Sequence, residues 1–176
     1  GRYKSLLHYS IFAKNLINSL NPEHHIKILT NYNLIHQSIG GIFANMPDFS
    51  QDELVKCTII AGAAKLESFK KTVEERPDQN LIVITGDRED IVNFAIEKKA
   101  YCIVITGGRT ISEETVISAK KNSVPIIVSQ FDTVSTSLLT ACATPVSTVS
   151  DPTIKPVKKY DTLKKCEGIF KLSNVP

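Results

Sequence analysis

Apolar residues in this chain fall into two kinds of run. The first kind is short, β-branched and apolar at nearly every position: Thr58 to Ala61, Leu81 to Thr85, Tyr101 to Thr106 and Ile126 to Ser129. A strand with one wet face alternates apolar with polar residues, whereas a strand covered on both faces reads as a continuous apolar stretch. These four runs therefore predict neighbouring strands of a mostly parallel sheet with helices on both sides. The second kind recurs at three and four residues. Leu66, Phe69 and Val73 lie within Ala63 to Glu75, and Ile91, Phe94 and Ala95 precede the basic pair Lys98-Lys99. Val116 with Ala119 gives a shorter version, and Val134, Leu138 and Cys142 lie within Thr133 to Thr144. Each spacing predicts a helix with one buried stripe. Strand, loop and helix thus alternate, which is a βαβ array with its functional loops at the carboxyl ends of the strands.

Upstream, Asn31 to Ile39 predicts a short helix stopped by Gly40-Gly41. Before it, Tyr3 to His8 reads as a strand. Ser10 is placed to cap a helix through Leu20, with Phe12, Ala13, Leu16, Ile17 and Leu20 on its buried stripe and Asn21-Pro22 at its end.

Composition changes this picture little. The 176 residues are 42% apolar and 22% charged, with 21 Lys and Arg against 18 Asp and Glu. A net charge of +3, without a dense basic cluster, does not announce a nucleic-acid partner. No apolar run approaches the ~20 residues that span a bilayer. The opening Gly1-Arg2-Tyr3 and the prolines at Pro145, Pro152, Pro156 and Pro176 read as an excised piece of a larger protein. Cys57, Cys102, Cys142 and Cys166 form no C-x-x-C pair, so buried, reduced thiols in a cytoplasmic protein are expected.

Two loops carry glycine next to charge, and the segments that hold them repeat each other. Ile82-Val83-Ile84-Thr85-Gly86-Asp87-Arg88 matches Ile103-Val104-Ile105-Thr106-Gly107-Gly108-Arg109. Asp87 is positioned to cap the following helix, and with Glu89 and Asp90 in the first turn an added phosphate would meet repulsion. Thr106-Gly107-Gly108-Arg109 is a better nest, because two glycines permit close backbone approach and Arg109 could grip an anion with two parallel bonds. With no phosphate-loop pattern around it and Glu113-Glu114 crowding the next helix start, a structural turn or an interface contact is the preferred reading. Asp132 is placed to cap a helix that starts at Thr133. His8, His24, His25 and His36 form no metal-ligand pattern, and no catalytic constellation is readable.

With those residues stated, the stretch from about residue 31 to 145 resembles the DRTGG domain, a family named for residues that stand here as Asp87-Arg88 and Thr106-Gly107-Gly108. Pro125-Ile126-Ile127-Val128-Ser129-Gln130-Phe131-Asp132-Thr133 matches the family's later apolar strand and its Asp-Thr turn. The flanks look like pieces of CBS motifs. Gly1 to His8 and the capped helix after it resemble a closing strand and helix, and Thr153 to Val157 through Asp161 to Leu163 resemble the opening of the next motif. The resemblance thus divides the chain into a CBS-like remnant over 1–22, a DRTGG-like α/β domain over 23–145, and a linker with the opening of a second CBS-like motif over 146–176.

The order CBS, DRTGG, CBS is similar to the regulatory region inserted into certain manganese-dependent inorganic pyrophosphatases. There, complete CBS motifs bind adenine nucleotides that inhibit or activate a separate catalytic region, which holds the manganese. The resemblance implies a non-catalytic regulatory and dimerisation module with no cofactor or metal of its own. Its partners would be a second copy and the catalytic and CBS regions of the parent, with neither nucleic acid nor membrane. Asp87, Arg88, Thr106, Gly107, Gly108 and Arg109 are then the candidates for a dimer interface or a ligand loop. Two alternatives stay open: the DRTGG regulatory domain of a phosphotransacetylase, and a small α/β ligand-binding domain or enzyme that uses the Gly86 and Gly107 loops.

Overall fold

The computed structural model describes residues 26–45, 53–77 and 79–145, all within one compact unit that ends at Pro145. The CBS-like segments expected over 1–22 and 146–176, together with His24, His25 and Cys166, lie outside the described residues.

In chain order the elements are β1 (Lys27–Thr30), α1 (Tyr32–Ile39), β2 (Ile42–Asn45), β3 (Val55–Ala61), α2 (Leu66–Glu74), β4 (Asn80–Thr85), α3 (Glu89–Glu97), β5 (Cys102–Ile105), α4 (Glu113–Lys121), β6 (Ile126–Val128) and α5 (Thr133–Ala141). They build a six-stranded sheet in the order β1-β3-β4-β5-β6-β2. The four apolar runs are its parallel centre, β3 to β6. Antiparallel strands close both edges, β1 against β3 and β2 against β6. Neither edge strand was legible in the sequence. Each has four residues, too few to show a period, and each takes its partner from a distant part of the chain. Asn45 strengthens one edge where the register of β2 shifts. Its Nδ2 donates to the Val124 carbonyl at 2.9 Å and its Oδ1 accepts from the Ile126 N–H at 2.8 Å.

The unbroken apolar runs are explained by two helix layers. On one face α2, α3 and α4 bury Phe69, Val73, Ile91, Phe94 and Ala119 against Ile60, Val83, Ile103 and Ile105. On the other face α1 and α5 lie over Ile59, Ile82, Ile84, Val104 and Ile127. The caps follow local chemistry: Asn31 Oδ1 accepts the Leu34 N–H at 2.9 Å, and Gly40, at φ 55°, ends α1.

Helix α5 departs from expectation in its rotation. Val134 and Leu138 are 70% and 50% exposed, and Cys142 is exposed as well; the buried residues are Thr136, Thr140 and Ala141. At about 100° per residue the 134/138 stripe lies opposite the 136/140 stripe. Hydrogen bonding decides between them. The Thr136 hydroxyl pairs with Ser129 Oγ at 3.0 Å and donates to the Phe131 carbonyl at 3.3 Å, and Thr140 donates to the Thr136 carbonyl at 2.8 Å. A hydroxyl with an internal partner is buried at little cost, so threonine methyls pack inward and the larger apolar side chains face out.

The described thiols divide accordingly. Cys57 and Cys102 are buried while Cys142 is exposed; burial pushes Cys57 up to about 12 and raises Cys102 as well. In a Cys166→Ser protein at pH 8, a disulfide reagent is expected to label Cys142 in the native state and the other two only after unfolding. Native labelling of Cys57 or Cys102 as fast as Cys142 would contradict the burial described.

Candidate functional site

The parallel strands β4, β5 and β6 end side by side at buried hydroxyl residues, Thr85 as the last residue of β4 and Thr106 and Ser129 as the first residues after β5 and β6. Each hydroxyl has an internal partner. Thr85 donates to the Gly62 carbonyl at 3.2 Å, and Thr106 Oγ1 pairs with Thr133 Oγ1 at 2.9 Å. Ser129 Oγ pairs with Thr136 and accepts the Phe131 N–H at 3.2 Å. The backbone continues the ladder past the strands, with Thr106 N–H on the Thr85 carbonyl at 2.9 Å and Ser129 N–H on the Ile105 carbonyl at 2.7 Å.

The Thr-Gly-Gly turn forms a clasp. Gly107 and Gly108 have φ of 74° and 60°, the left-handed region that glycine enters without strain. Their N–H groups donate to the Phe131 carbonyl at 2.7 Å and to the Ser129 carbonyl at 2.8 Å. A nest that receives an anion needs those same donors free. Here carbonyls of the β6–α5 loop fill them, so the turn ties the end of β5 to the entry of α5. Beside it, a shallow groove of about 310 Å³ touches Gly108 and Arg109 on the β2 side.

The two repeated arginines reach back to the loop before their own. Arg88 Nη1 donates to the Ala64 carbonyl at 3.3 Å, after β3, and its Nε and Nη2 fork onto the Asp90 carboxylate at 2.9 and 2.7 Å. That fork holds Asp90 below the usual carboxylate range and keeps Arg88 protonated still more firmly. Arg109 Nη1 lies 3.9 Å from Asp87 Oδ2, after β4, and the two side chains are 61% and 70% exposed. Such a surface pair contributes about 0–1 kcal/mol.

Asp87 does not cap α3. The helix starts at Glu89, with Arg88 in the cap position and no side-chain cap bond, one residue too late for Asp87 to reach the free amides. Asp132 occupies the cap position of α5: its Oδ1 accepts from Val134 and Ser135 N–H at 2.9 and 3.0 Å, and its Oδ2 from the Ser135 hydroxyl at 2.6 Å. The Ser135 hydroxyl, then the backbone donors, hold this carboxyl below its ordinary value.

The Ser135 hydroxyl that meets the Asp132 carboxylate is part of the α5 cap, and no group of three or more His, Cys, Asp and Glu among the described residues could hold a metal ion. His36 stacks on Phe43 with centroids 4.8 Å apart. Asp87 and Arg109 project outward beside a turn whose Gly107 and Gly108 amides are occupied. The filled amides and the Ser129–Thr136 pair escaped the sequence reading. A hydroxyl at the end of each of three successive apolar runs was the signal that could have found them.

The DRTGG domain family matches residues 35–141. A cobalt-dependent inorganic pyrophosphatase of Clostridium perfringens (strain 13 / Type A) is 34% identical over 91 residues, which is 52% of this chain and 16% of the relative. The chain thus spans only a small part of that protein. Among solved structures, the CBS and DRTGG domains of the regulatory region of Clostridium perfringens pyrophosphatase, complexed with the activator diadenosine tetraphosphate, superpose with a TM-score of 0.66 at 23% identity. That match covers 90% of this chain and 69% of the other, and at such identity it speaks for the fold.

Proposed function

The chain belongs to the DRTGG domain family, its match running over residues 35–141, and from that premise we propose that it is the non-catalytic regulatory and dimerisation module of a nucleotide-regulated inorganic pyrophosphatase. The observation that carries this reading is the closed rim: the Gly107 and Gly108 amides and the Arg88 fork are spent on the module's own groups. The motif residues therefore build and brace loops where a ligand-binding domain would leave donors free. The pyrophosphatase relative supports the choice of parent.

In this reading the segments 1–22 and 146–176 on either side of the domain over 23–145 join complete CBS motifs of the parent, and an adenine nucleotide binds there. The transition metal, manganese or the cobalt for which the relative is named, serves a separate catalytic region, and the whole works in the cytoplasm. No described helix is long and apolar enough to cross a membrane.

The module pairs with a second copy about a two-fold axis. Asp87, Arg88 and Thr106 to Arg109 lie inside that contact, where the loose Asp87–Arg109 pair exchanges partners between subunits and loses its water. An Arg109–carboxylate pair desolvated in this way loses about 2–5 kcal/mol of association when one member is removed. Sedimentation equilibrium is expected to show a dimer weakened by that amount in Arg109→Ala. Arg88→Ala is expected to have a smaller effect, because Asp90 of its own chain already holds the fork. A dimer indifferent to both changes would remove these loops from the contact.

A further inference from the structure

The two helix layers differ in kind. α2 carries Glu67 and Lys70, and α4 begins with Glu113-Glu114 and ends with Lys120-Lys121. α1 (YNLIHQSI) and α5 (TVSTSLLTA) contain no Asp, Glu, Lys or Arg at all. Yet α5 is not a buried helix. Phe131 at its entry, Val134 and Leu138 are 48%, 70% and 50% exposed, and exposed Cys142 follows. These positions are spaced by three, four and four residues, a continuous seam on the outer face. A helix face that stays in water normally carries charge, so this seam has the composition of a covered surface.

We propose that the outer face of α5, flanked by α1, is the apolar centre of the two-fold contact, the second copy laying its own α5 antiparallel across it with Leu138 at the axis. This rests on the dimerisation reading above. The absence of charge from α1 and α5 selects a second copy as the occupant. A two-fold axis sets a face against itself, so any charge near the axis meets its own like; a self-contact therefore selects neutrality, whereas a foreign partner allows complementary charges. With Leu138 at the axis, an antiparallel pair sets Val134 of one subunit opposite Cys142 of the other and Leu138 opposite itself.

The DRTGG motif then acquires a task. Gly107 N–H on the Phe131 carbonyl, Thr106 on Thr133 and Ser129 on Thr136 fix the rotation of α5 that turns this seam outward. Size sets the strength. Helices of eight and nine residues, at 1.5 Å per residue and about 10 Å across, offer a footprint well below the ~800 Å² per partner of a standard interface. The module alone should therefore form a weak, concentration-dependent dimer.

The full chain tests this with Cys142 and Cys166 changed to serine and a single cysteine introduced either as Leu138→Cys or as Ile117→Cys, the latter on the charged layer at a residue 66% exposed. Diamide takes up two electrons and two protons as two thiols join in one disulfide. The Leu138→Cys protein is expected to give a covalent dimer in a yield that rises with protein concentration, and the Ile117→Cys protein to stay monomeric. Leu138→Glu, at an exposed position, is expected to melt like the parent and to raise the dimer dissociation constant about tenfold or more. A parent that sediments as a monomer at high micromolar concentration would end the dimerisation reading and this one with it. A dimer that survives Leu138→Glu and does not favour Leu138→Cys would overturn this placement alone. Protection of the Leu138→Cys thiol at every protein concentration would show the seam covered by its own chain and overturn it too.

Discussion

Gly108→Val is expected to lower the stability of the chain by about 1–3 kcal/mol, and Gly107→Val by a similar amount. Both residues have positive φ, 74° at Gly107 and 60° at Gly108, where a β-branched side chain is strained whatever room surrounds it. Room in fact differs: a Cβ at Gly107 would meet nothing closer than 3.8 Å, whereas one at Gly108 would lie 2.6 Å from Gln130 Oε1. Because Gln130 is exposed and its tip can swing away, backbone strain is the larger cost at both sites. Relief of that strain would sacrifice the N–H bonds to Phe131 and Ser129, and with them the anchorage of α5. Gly108→Asn, which tolerates the left-handed region, should recover much of the loss. Denaturant unfolding that shows less than about 0.5 kcal/mol for both valine variants would mean that the turn needs no glycine.

Phe69→Ala should cost more, about 3–5 kcal/mol. Phe69 is 1% exposed in the core formed with Ile60 and Val83, and its ring meets Phe94 edge-on with centroids 6.1 Å apart. Truncation removes the transfer energy of a ring, leaves a cavity between α2, α3 and the sheet, and forfeits the ring pair. Since this site lies in the opposite helix layer from α5, the protein that remains folded should associate as the parent does. An unfolding free energy reduced by less than about 1 kcal/mol would show that the layer repacks around the gap.

What could be read from the sequence was whatever has a period of its own. Ile82 to Ile84 and Ile103 to Ile105 announce strands covered on both faces, and Phe69 with Val73 announces the buried stripe of a helix; these elements form where the spacing puts them. Other features depend on partners far away in the chain. β1 and β2 are short runs that become strands because β3 and β6 offer open edges. The rotation of α5 is set by Ser129 and the Phe131 carbonyl, so an apolar stripe of respectable spacing faces outward. The candidate site was half legible: glycine and arginine at strand ends marked the loops, but only the folded chain shows that Ser129 and Phe131 carbonyls occupy the amides that would have made a nest.

In the function proposed above, this chain regulates and associates and does not itself turn over pyrophosphate. Phosphate release from pyrophosphate by the purified chain, assayed separately with Mn²⁺, Co²⁺ and Mg²⁺, tests that claim most directly. The expected rate is that of the buffer alone. Turnover that persists through repurification and disappears on substitution of residues in this chain would contradict it.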